Sequence, residues 1–361
     1  MASEPVAGVA SVAKGHPRAR VAFRIVLWAL TASVLAVVGA LVYAWAMPDF
    51  TPASHPHPLK TYAQAVARIE AERAADPSAV QYHEIFVGQG SRTTTAVVLF
   101  HGFTNAPRQM EDLVEAYAAQ GYNVYVPRMP HHGMADRMST DLANANRHEL
   151  IAWTDDAIDI GAGLGDHVIV SGLSAGATLS AWAAKNRSEV SEAVLVAPLI
   201  QPAPIPVWLT KPVYQLTPAL PPIWMWWNPA KKEQQKAPEM AYPRYPIRAL
   251  GDFLAIGASL SNGKAKRVGK LERVAVITND ADIAVRNDIA LSVLEKQLKP
   301  LTDQWVEYAI PASHRWKHDL IDPLGENVDH APEIYRTILP MYGLPVQRSL
   351  SSSGSVTFLT P

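Results

Sequence analysis

The sequence predicts an α/β fold, a mostly parallel sheet with helices on both faces, and three observations predict it. Short apolar runs at residues 93–100, 123–126, 168–171, 193–197, 273–278 and 304–310 read as strands, and the most apolar of them suit a sheet buried on both faces. Between them lie stretches of helical period at 107–120, 150–161, 175–186 and 285–298, with another at 331–342. At one strand-to-helix junction, residues 166–178, the chain turns through Gly172-Leu173-Ser174-Ala175-Gly176, which fits G-x-S-x-G. Strands joined by right-handed helical crossovers align their carboxyl ends along one edge, and that edge is where sites form.

The composition suits one large folded domain with appendages. Among 361 residues there are 32 basic and 33 acidic side chains, a net charge of -1 and 48% hydrophobic residues, a balance that argues against nucleic acid as a partner. The chain has no cysteine, which excludes thiol catalysis, disulfides and lipid attachment through a thiol.

Taken from the start, residues 25–47 carry no charge and are long enough to cross about 30 Å of hydrocarbon as a helix. Lys14, Arg18, Arg20 and Arg24 precede this run against the single acid Glu4. The positive-inside tendency therefore predicts a single-pass protein with a cytoplasmic N-terminus and an extracytoplasmic main domain. The rival expectation is a cleaved signal peptide and a secreted chain, with Ala44-Trp45-Ala46 before the cut and Met47 after it. Against it stand an apolar run longer than the roughly 7–15 residues of a signal core and Pro48 beside the cut.

Residues 48–59, rich in Pro, His and Ser without apolar period, read as a linker. Residues 60–75 read as a helix, with Tyr62, Val66 and Ile69 on one face and Arg68, Glu70, Glu72 and Arg73 on another. A hairpin-like region at 82–87 precedes the strand 93–100, the turn His101-Gly102-Phe103-Thr104-Asn105-Ala106, and a helix begun by Pro107 and closed by Gly121. The alternation breaks between Pro198 and Asn262. Proline-rich segments there are interspersed with Trp208, Tyr214, Trp224, Trp226, Trp227, Tyr242 and Tyr245, as expected of an insertion.

The chemistry follows from Ser174. A serine hydroxyl is a weak nucleophile until a base takes its proton, and the base needs an acid to fix its tautomer. In an α/β sheet both should follow Ser174, acid before base. After strand 273–278 two aspartates compete, Asp280 and Asp282; Asp282 is favoured because it occupies the apex of the loop over the strand end. After strand 304–310 the candidates are His314 and His318, and the apolar anchor Leu320-Ile321 with Pro323 favours His318. The same two histidines have the i, i+4 spacing of a zinc pair. Arg315, Trp316 and Lys317 lie between them without a Glu, and no third ligand is evident, so neither a metal nor a cofactor is expected. An oxyanion needs two amide donors. The amide of Ala175, after the serine, is one candidate, and that of Phe103, in the turn after strand 93–100, is the other.

These residues resemble the α/β-hydrolase superfamily, more closely its bacterial carboxylesterase and monoacylglycerol-lipase-like branch. The likeness is carried by Val97-Val98-Leu99-Phe100-His101-Gly102-Phe103-Thr104, by Gly121-Tyr122-Asn123-Val124-Tyr125-Val126-Pro127-Arg128-Met129-Pro130-His131-His132-Gly133, and by residues 172–176. His131 and Asn279 stand where the family often has glycine. The resemblance implies an α/β-hydrolase fold with Ser174 as nucleophile, Asp282 as acid, His318 as base and the Phe103 and Ala175 amides as oxyanion hole. By position it further implies that the insertion is a small cap shaping the acyl or alcohol pocket. Its aromatics read as packing the core of that cap, and Ile223 to Trp227 beside Lys231 and Lys232 would alternatively suit a membrane interface.

The expected organisation is a basic N-terminus at 1–24, a transmembrane helix at 25–47, a linker and helix at 48–79, a hydrolase core at 80–198 and 263–343, a cap at 199–262 and a disordered tail at 344–361. The expected activity is that of a membrane-tethered serine hydrolase acting on small-molecule or lipid esters through an acyl-enzyme. Two alternatives share these residues: an acyltransferase that passes the same acyl group to an alcohol or amine, and a non-catalytic membrane protein that binds a ligand with its cap.

Overall fold

A computed structural model describes residues 17–76, 79–234 and 240–345, so the greater part of the basic N-terminus and of the expected disordered tail lies outside the described residues. The chain divides into two units, residues 1–47 and 48–361.

The first unit is the helix α1, Pro17–Ala46, eight residues longer at its start than the uncharged run. Proline is tolerated in a first turn, where its missing N–H has no partner to lose. Within it Val21–Ala46 has a mean hydropathy of 2.5, and Phe23, Trp28 and Leu35 are exposed. By length and composition this helix is a candidate membrane span or a signal sequence.

In the second unit residues 50–60 form neither helix nor strand, as their composition predicts, yet they are tied down. Ser54 Oγ–H donates to Asp155 Oδ1 at 2.6 Å, the His55 amide to Asp155 Oδ2 at 2.7 Å, and the His57 amide to both oxygens of Asp159 at 3.0 and 2.9 Å. The same two carboxylates receive the buried guanidinium of Arg187. Upstream, Tyr214 Oη–H donates to Asp49 Oδ1 at 2.7 Å and Gln215 Nε2 to the Pro48 carbonyl at 2.8 Å.

The elements then run α2 (Tyr62–Ala75), β1 (Ile85–Val87), β2 (Thr93–Phe100), α3 (Glu111–Ala118), β3 (Asn123–Val126), α4 (Arg147–Leu164), β4 (Gly165–Leu173), α5 (Ala175–Asn186), β5 (Val190–Val196), α6 (Val207–Leu216), β6 (Trp224–Trp226), β7 (Arg244–Pro246), α7 (Ile247–Ser259), β8 (Leu271–Asn279), α8 (Asn287–Gln297), β9 (Thr302–Ile310) and α9 (Ala331–Ile338). Thr61 caps α2 by accepting from the Gln64 amide, and Asn146 caps α4 by accepting from that of Glu149. The main sheet has the order β1-β3-β2-β4-β5-β8-β9, and every neighbouring pair is parallel except β1 with β3. The expected hairpin at 82–87 is therefore corrected: Ile85 to Val87 pair antiparallel with Val124 to Val126 at the sheet edge, not with β2. Local turn signals could not reveal that partner, because β3 lies some forty residues on.

Ala96 to Phe100 and Val168 to Leu173 are buried throughout, which explains why these strands read as unbroken apolar runs. Burying each large aliphatic side chain contributes about 1.5–3 kcal/mol, so the central strands dominate the core. The insertion after β5 folds as α6, a two-stranded ribbon of β6 and β7, and α7, whose Phe253, Leu254 and Ile256 are buried.

Candidate active site

β4 ends at Leu173 and α5 begins at Ala175, so Ser174 alone makes the turn, with φ 57° and ψ -113°. A non-glycine residue in that region stores about 1–3 kcal/mol of strain. Glycine on either side makes the turn possible. A Cβ on Gly176 would lie 2.0 Å from the Phe100 carbonyl oxygen, and one on Gly172 would lie 2.3 Å from Gly176 backbone. The Ser174 amide donates to the Val196 carbonyl at 2.9 Å, and its own carbonyl accepts from Leu199 at 3.1 Å. With the backbone fixed on both sides, Oγ has no hydrogen-bond partner among the described residues.

Two further loops leave the same edge of the sheet. Past β8, the Asp282 side chain is fully shielded: Oδ1 accepts the amide of Ala284 at 2.7 Å, and Oδ2 lies 2.6 Å from His318 Nδ1 in the loop past β9. Asp280 joins no such pair; its amide donates to the Ile310 carbonyl. His314 sits apart, its ring tilted against that of Trp316 with centroids 4.2 Å apart and its Nδ1 3.5 Å from Glu333 Oε1. His318 Nε2 has no partner among the described residues. Burial alone would push the His318 pKa down, but the hydrogen bond and charge of Asp282, with the Asp319 carboxylate nearby, outweigh burial and hold it above the ordinary histidine value. Burial in turn pushes Asp319 up to about 6, against the pull of His318.

The amides of Phe103 and Ala175 donate to no described residue, and the turn that carries Phe103 is braced from several directions. The Gly102 amide donates to Gln109 Oε1 at 2.7 Å, and Asn105 Nδ2–H donates to Asp322 Oδ2 at 2.8 Å, which joins this turn to the loop of His318. Two buried histidines hold backbone on both ring nitrogens. His101 Nε2 accepts the Met129 amide at 3.1 Å, and its Nδ1 faces the Gly102 carbonyl at 3.0 Å. His132 Nε2 accepts the Thr104 amide at 3.2 Å, with Nδ1 2.9 Å from the Pro130 carbonyl. An Nε2 that accepts an N–H is unprotonated, so both rings are neutral with the proton on Nδ1. Burial drives the pKa of His101 down to about 4 and that of His132 well below the ordinary value.

Sequence reasoning missed the braces. Besides Asp322 and Gln109, the loop of His318 is held by Asn327, which accepts the Lys317 amide at 2.8 Å and donates to the Asp319 carbonyl at 2.9 Å, and by Asn279 Nδ2, which donates to the Trp316 carbonyl at 2.9 Å. The only sequence signal was an excess of Asn, Asp and Gln in loops next to the motifs. Away from the site Asp76, His83 and Glu84 converge closely enough to suggest cation ligands, but Arg128 and Arg73 already pair with the two carboxylates.

The Alpha/beta hydrolase family matches residues 97–345 of the chain. A thermostable monoacylglycerol lipase from Bacillus sp. (strain H-257) is 33% identical over 94 residues, which are 26% of this chain and 36% of that protein. The chain thus aligns with about a third of the length of the curated relative it matches. Among solved structures, a soluble variant of monoglyceride lipase from Saccharomyces cerevisiae is similar at a TM-score of 0.54 and 14% identity, covering 72% of this chain and 89% of that one. The monoacylglycerol lipase of Paleococcus ferrophilus is similar at a TM-score of 0.52 and 16% identity, covering 73% and 98%. At such identities the two structures speak for the fold.

Proposed function

This chain belongs to the alpha/beta hydrolase family, and we propose that within it the protein is a membrane-tethered serine hydrolase that cleaves carboxylic esters with apolar acyl groups. The observation that carries the reading is the Asp282–His318 pair, with Nε2 open, on the sheet edge that also carries Ser174 at positive φ.

In this reading His318 Nε2 takes the proton from Ser174 Oγ as that oxygen attacks the ester carbonyl. Asp282 holds the Nδ1–H and stabilises the imidazolium. The oxyanion of the tetrahedral intermediate is met by the amides of Phe103 and Ala175, the second at the positive end of α5. Collapse expels the alcohol, which leaves with the proton from His318, and Ser174 remains acylated. Water then attacks the acyl-enzyme, giving up a proton to His318, and the carboxylic acid departs as Ser174 recovers its proton. Neither a metal nor a cofactor takes part.

An apolar acyl group is supported by the rings around Phe103: Phe253 at 5.1 Å, Tyr245 at 5.4 Å and Trp227 at 6.2 Å between centroids. The resemblance to monoacylglycerol lipases makes acylglycerol-like esters the first substrates to try. For α1 the tethered reading, with the N-terminus cytoplasmic and the second unit extracytoplasmic, rests on Lys14, Arg18, Arg20 and Arg24 ahead of its uncharged run and on the apolar length of that run.

The test uses the full chain in detergent. Ser174→Ala should lower hydrolysis of p-nitrophenyl butyrate and of a monoacylglycerol by at least about 10⁴-fold and abolish labelling by a fluorophosphonate. Retention of more than a tenth of the wild-type rate would sink the proposal.

A further inference from the structure

We infer that Trp227 of the cap is a positioning residue for the oxyanion hole: through Thr104 it holds the turn that aims the Phe103 amide, so that the hole is complete only while the cap is docked. The inference rests on the reading of Ser174 as nucleophile and deepens it.

Thr104 follows Phe103 directly and has φ 66°, left-handed backbone that a β-branched side chain rarely adopts. The Asn105 amide donates to the Gly102 carbonyl at 3.2 Å, so residues 102–105 form a four-residue turn with Thr104 third, a position where positive φ ordinarily calls for glycine. A conformation of this kind persists only where the surroundings over-determine it. Here three hydrogen bonds do so. The Thr104 amide donates to His132 Nε2 at 3.2 Å, the Tyr242 amide donates to the Thr104 carbonyl at 2.8 Å, and Trp227 Nε1–H donates to Thr104 Oγ1 at 3.0 Å.

Two of those three come from residues of the cap. Thr104 is only 4% exposed while Trp227 is 50% exposed, so an indole at the surface reaches in to a buried hydroxyl. The same indole packs 4.3 Å from the ring of Tyr245, and both rings meet that of Phe103. Lifting the cap withdraws the Trp227 and Tyr242 donors together and leaves Thr104 strained with His132 alone. The turn then relaxes toward negative φ and carries the Phe103 amide with it. Trp227 and Tyr242 themselves make no hydrogen bond to Ser174, Asp282 or His318 among the described residues; the cap meets those loops only through its first residues, Leu199 to Ala203. Through Trp227 and Tyr242 the cap therefore acts on transition-state stabilisation rather than on the nucleophile or its base.

The experiment is a double-mutant cycle on the full chain in detergent, read as kcat and KM for p-nitrophenyl butyrate. Trp227→Phe keeps an aromatic ring and deletes the Nε1–H. It should lower kcat about tenfold, less than outright loss of an oxyanion donor, and change KM less than about twofold. Thr104→Gly supplies a residue that adopts positive φ without help. On that background Trp227→Phe should cost less than about twofold in kcat. Should Trp227→Phe fail to fold, Thr104→Val removes the same acceptor and is judged by the same division between kcat and KM. The inference is overturned if kcat stays within twofold, if the whole loss appears in KM, or if the penalty is equal in both backgrounds. Activity retained by Ser174→Ala overturns the site reading and this inference with it. Activity lost in Ser174→Ala but unchanged in Trp227→Phe overturns this inference alone.

Discussion

Two pairs of histidines follow strands of one sheet and differ in what they touch. His101 and His132, in the loops past β2 and β3, meet a backbone amide at Nε2 and a carbonyl at Nδ1. His314 and His318, in the loop past β9, face carboxylates, Glu333 at 3.5 Å and Asp282 at 2.6 Å. The first pair is fully buried and the second partly exposed, and within each pair the partner fixes what the ring can do. A ring that accepts an N–H at Nε2 has committed its lone pair and braces backbone. A ring held only at Nδ1 by a carboxylate keeps a basic nitrogen free, and in His318 the hydrogen bond and charge of Asp282 raise the pKa against burial. Of the two in the β9 loop, only His318 faces a carboxylate that is itself shielded and fixed by backbone amides.

The comparison breaks most visibly if the two histidines of the β9 loop are exchanged in importance. His318→Ala should reduce kcat for p-nitrophenyl butyrate by about 10⁴-fold or more, whereas His314→Ala should stay within about twofold. The opposite ranking in steady-state kinetics would discard the assignment. Asp282→Asn should follow, at about 10³-fold near neutral pH, with Asp280→Asn close to wild type.

The same variant sharpens the argument through pH. His318 must be neutral to act as base, so kcat/KM rises with pH through its pKa. Because that pKa is raised in the folded protein, the acid limb of the wild-type profile should have its midpoint above about 6.5. Removing the negative charge in Asp282→Asn should move the limb to lower pH, and a limb that does not move would mean another group titrates there.

A smaller effect tests the bracing pair. His101→Ala leaves the Met129 amide buried without its acceptor and opens a cavity, and should cost about 2–4 kcal/mol in denaturant unfolding of the second unit. In the wild type the sign with pH is fixed by the depressed pKa. His101 stays neutral in the folded state down to about 4, whereas the unfolded chain takes up the proton near 6.5. Its contribution to stability is thus complete above about 6.5 and declines as the pH falls toward 4, by up to about 3 kcal/mol, a slope that His101→Ala should flatten.

Much of this was legible in the residues, for definable reasons. β2 and β4 announced themselves because both faces are buried, and Ser174 because a strand, a turn of small residues and a helix are contiguous. The candidates for acid and base narrow to two pairs that spacing does not resolve. Residues two or four apart in a loop reach similar places, and which aspartate meets which histidine is set by contacts with distant chain such as Asn279 with Trp316 and Asn327 with Lys317. β1 was misread for the same reason, since its partner is remote in sequence. His131, standing where the family often has glycine, nevertheless keeps a glycine-like φ of 64°, so the departure alters the side chain without altering the turn.

The fastening of residues 54–57 onto Asp155 and Asp159 has a practical reading at the bench. In energetic terms the second unit starts at Pro48, ahead of any helix or strand, because the Pro48 carbonyl, Asp49 and the His55 and His57 amides already satisfy groups of α6 and α4. Trimming the chain at residue 47 to obtain a soluble form leaves this belt buckled. Trimming to Lys60, just before the first helix of that unit, strips two carboxylates of their amide donors and opens the buried Arg187 cluster to water.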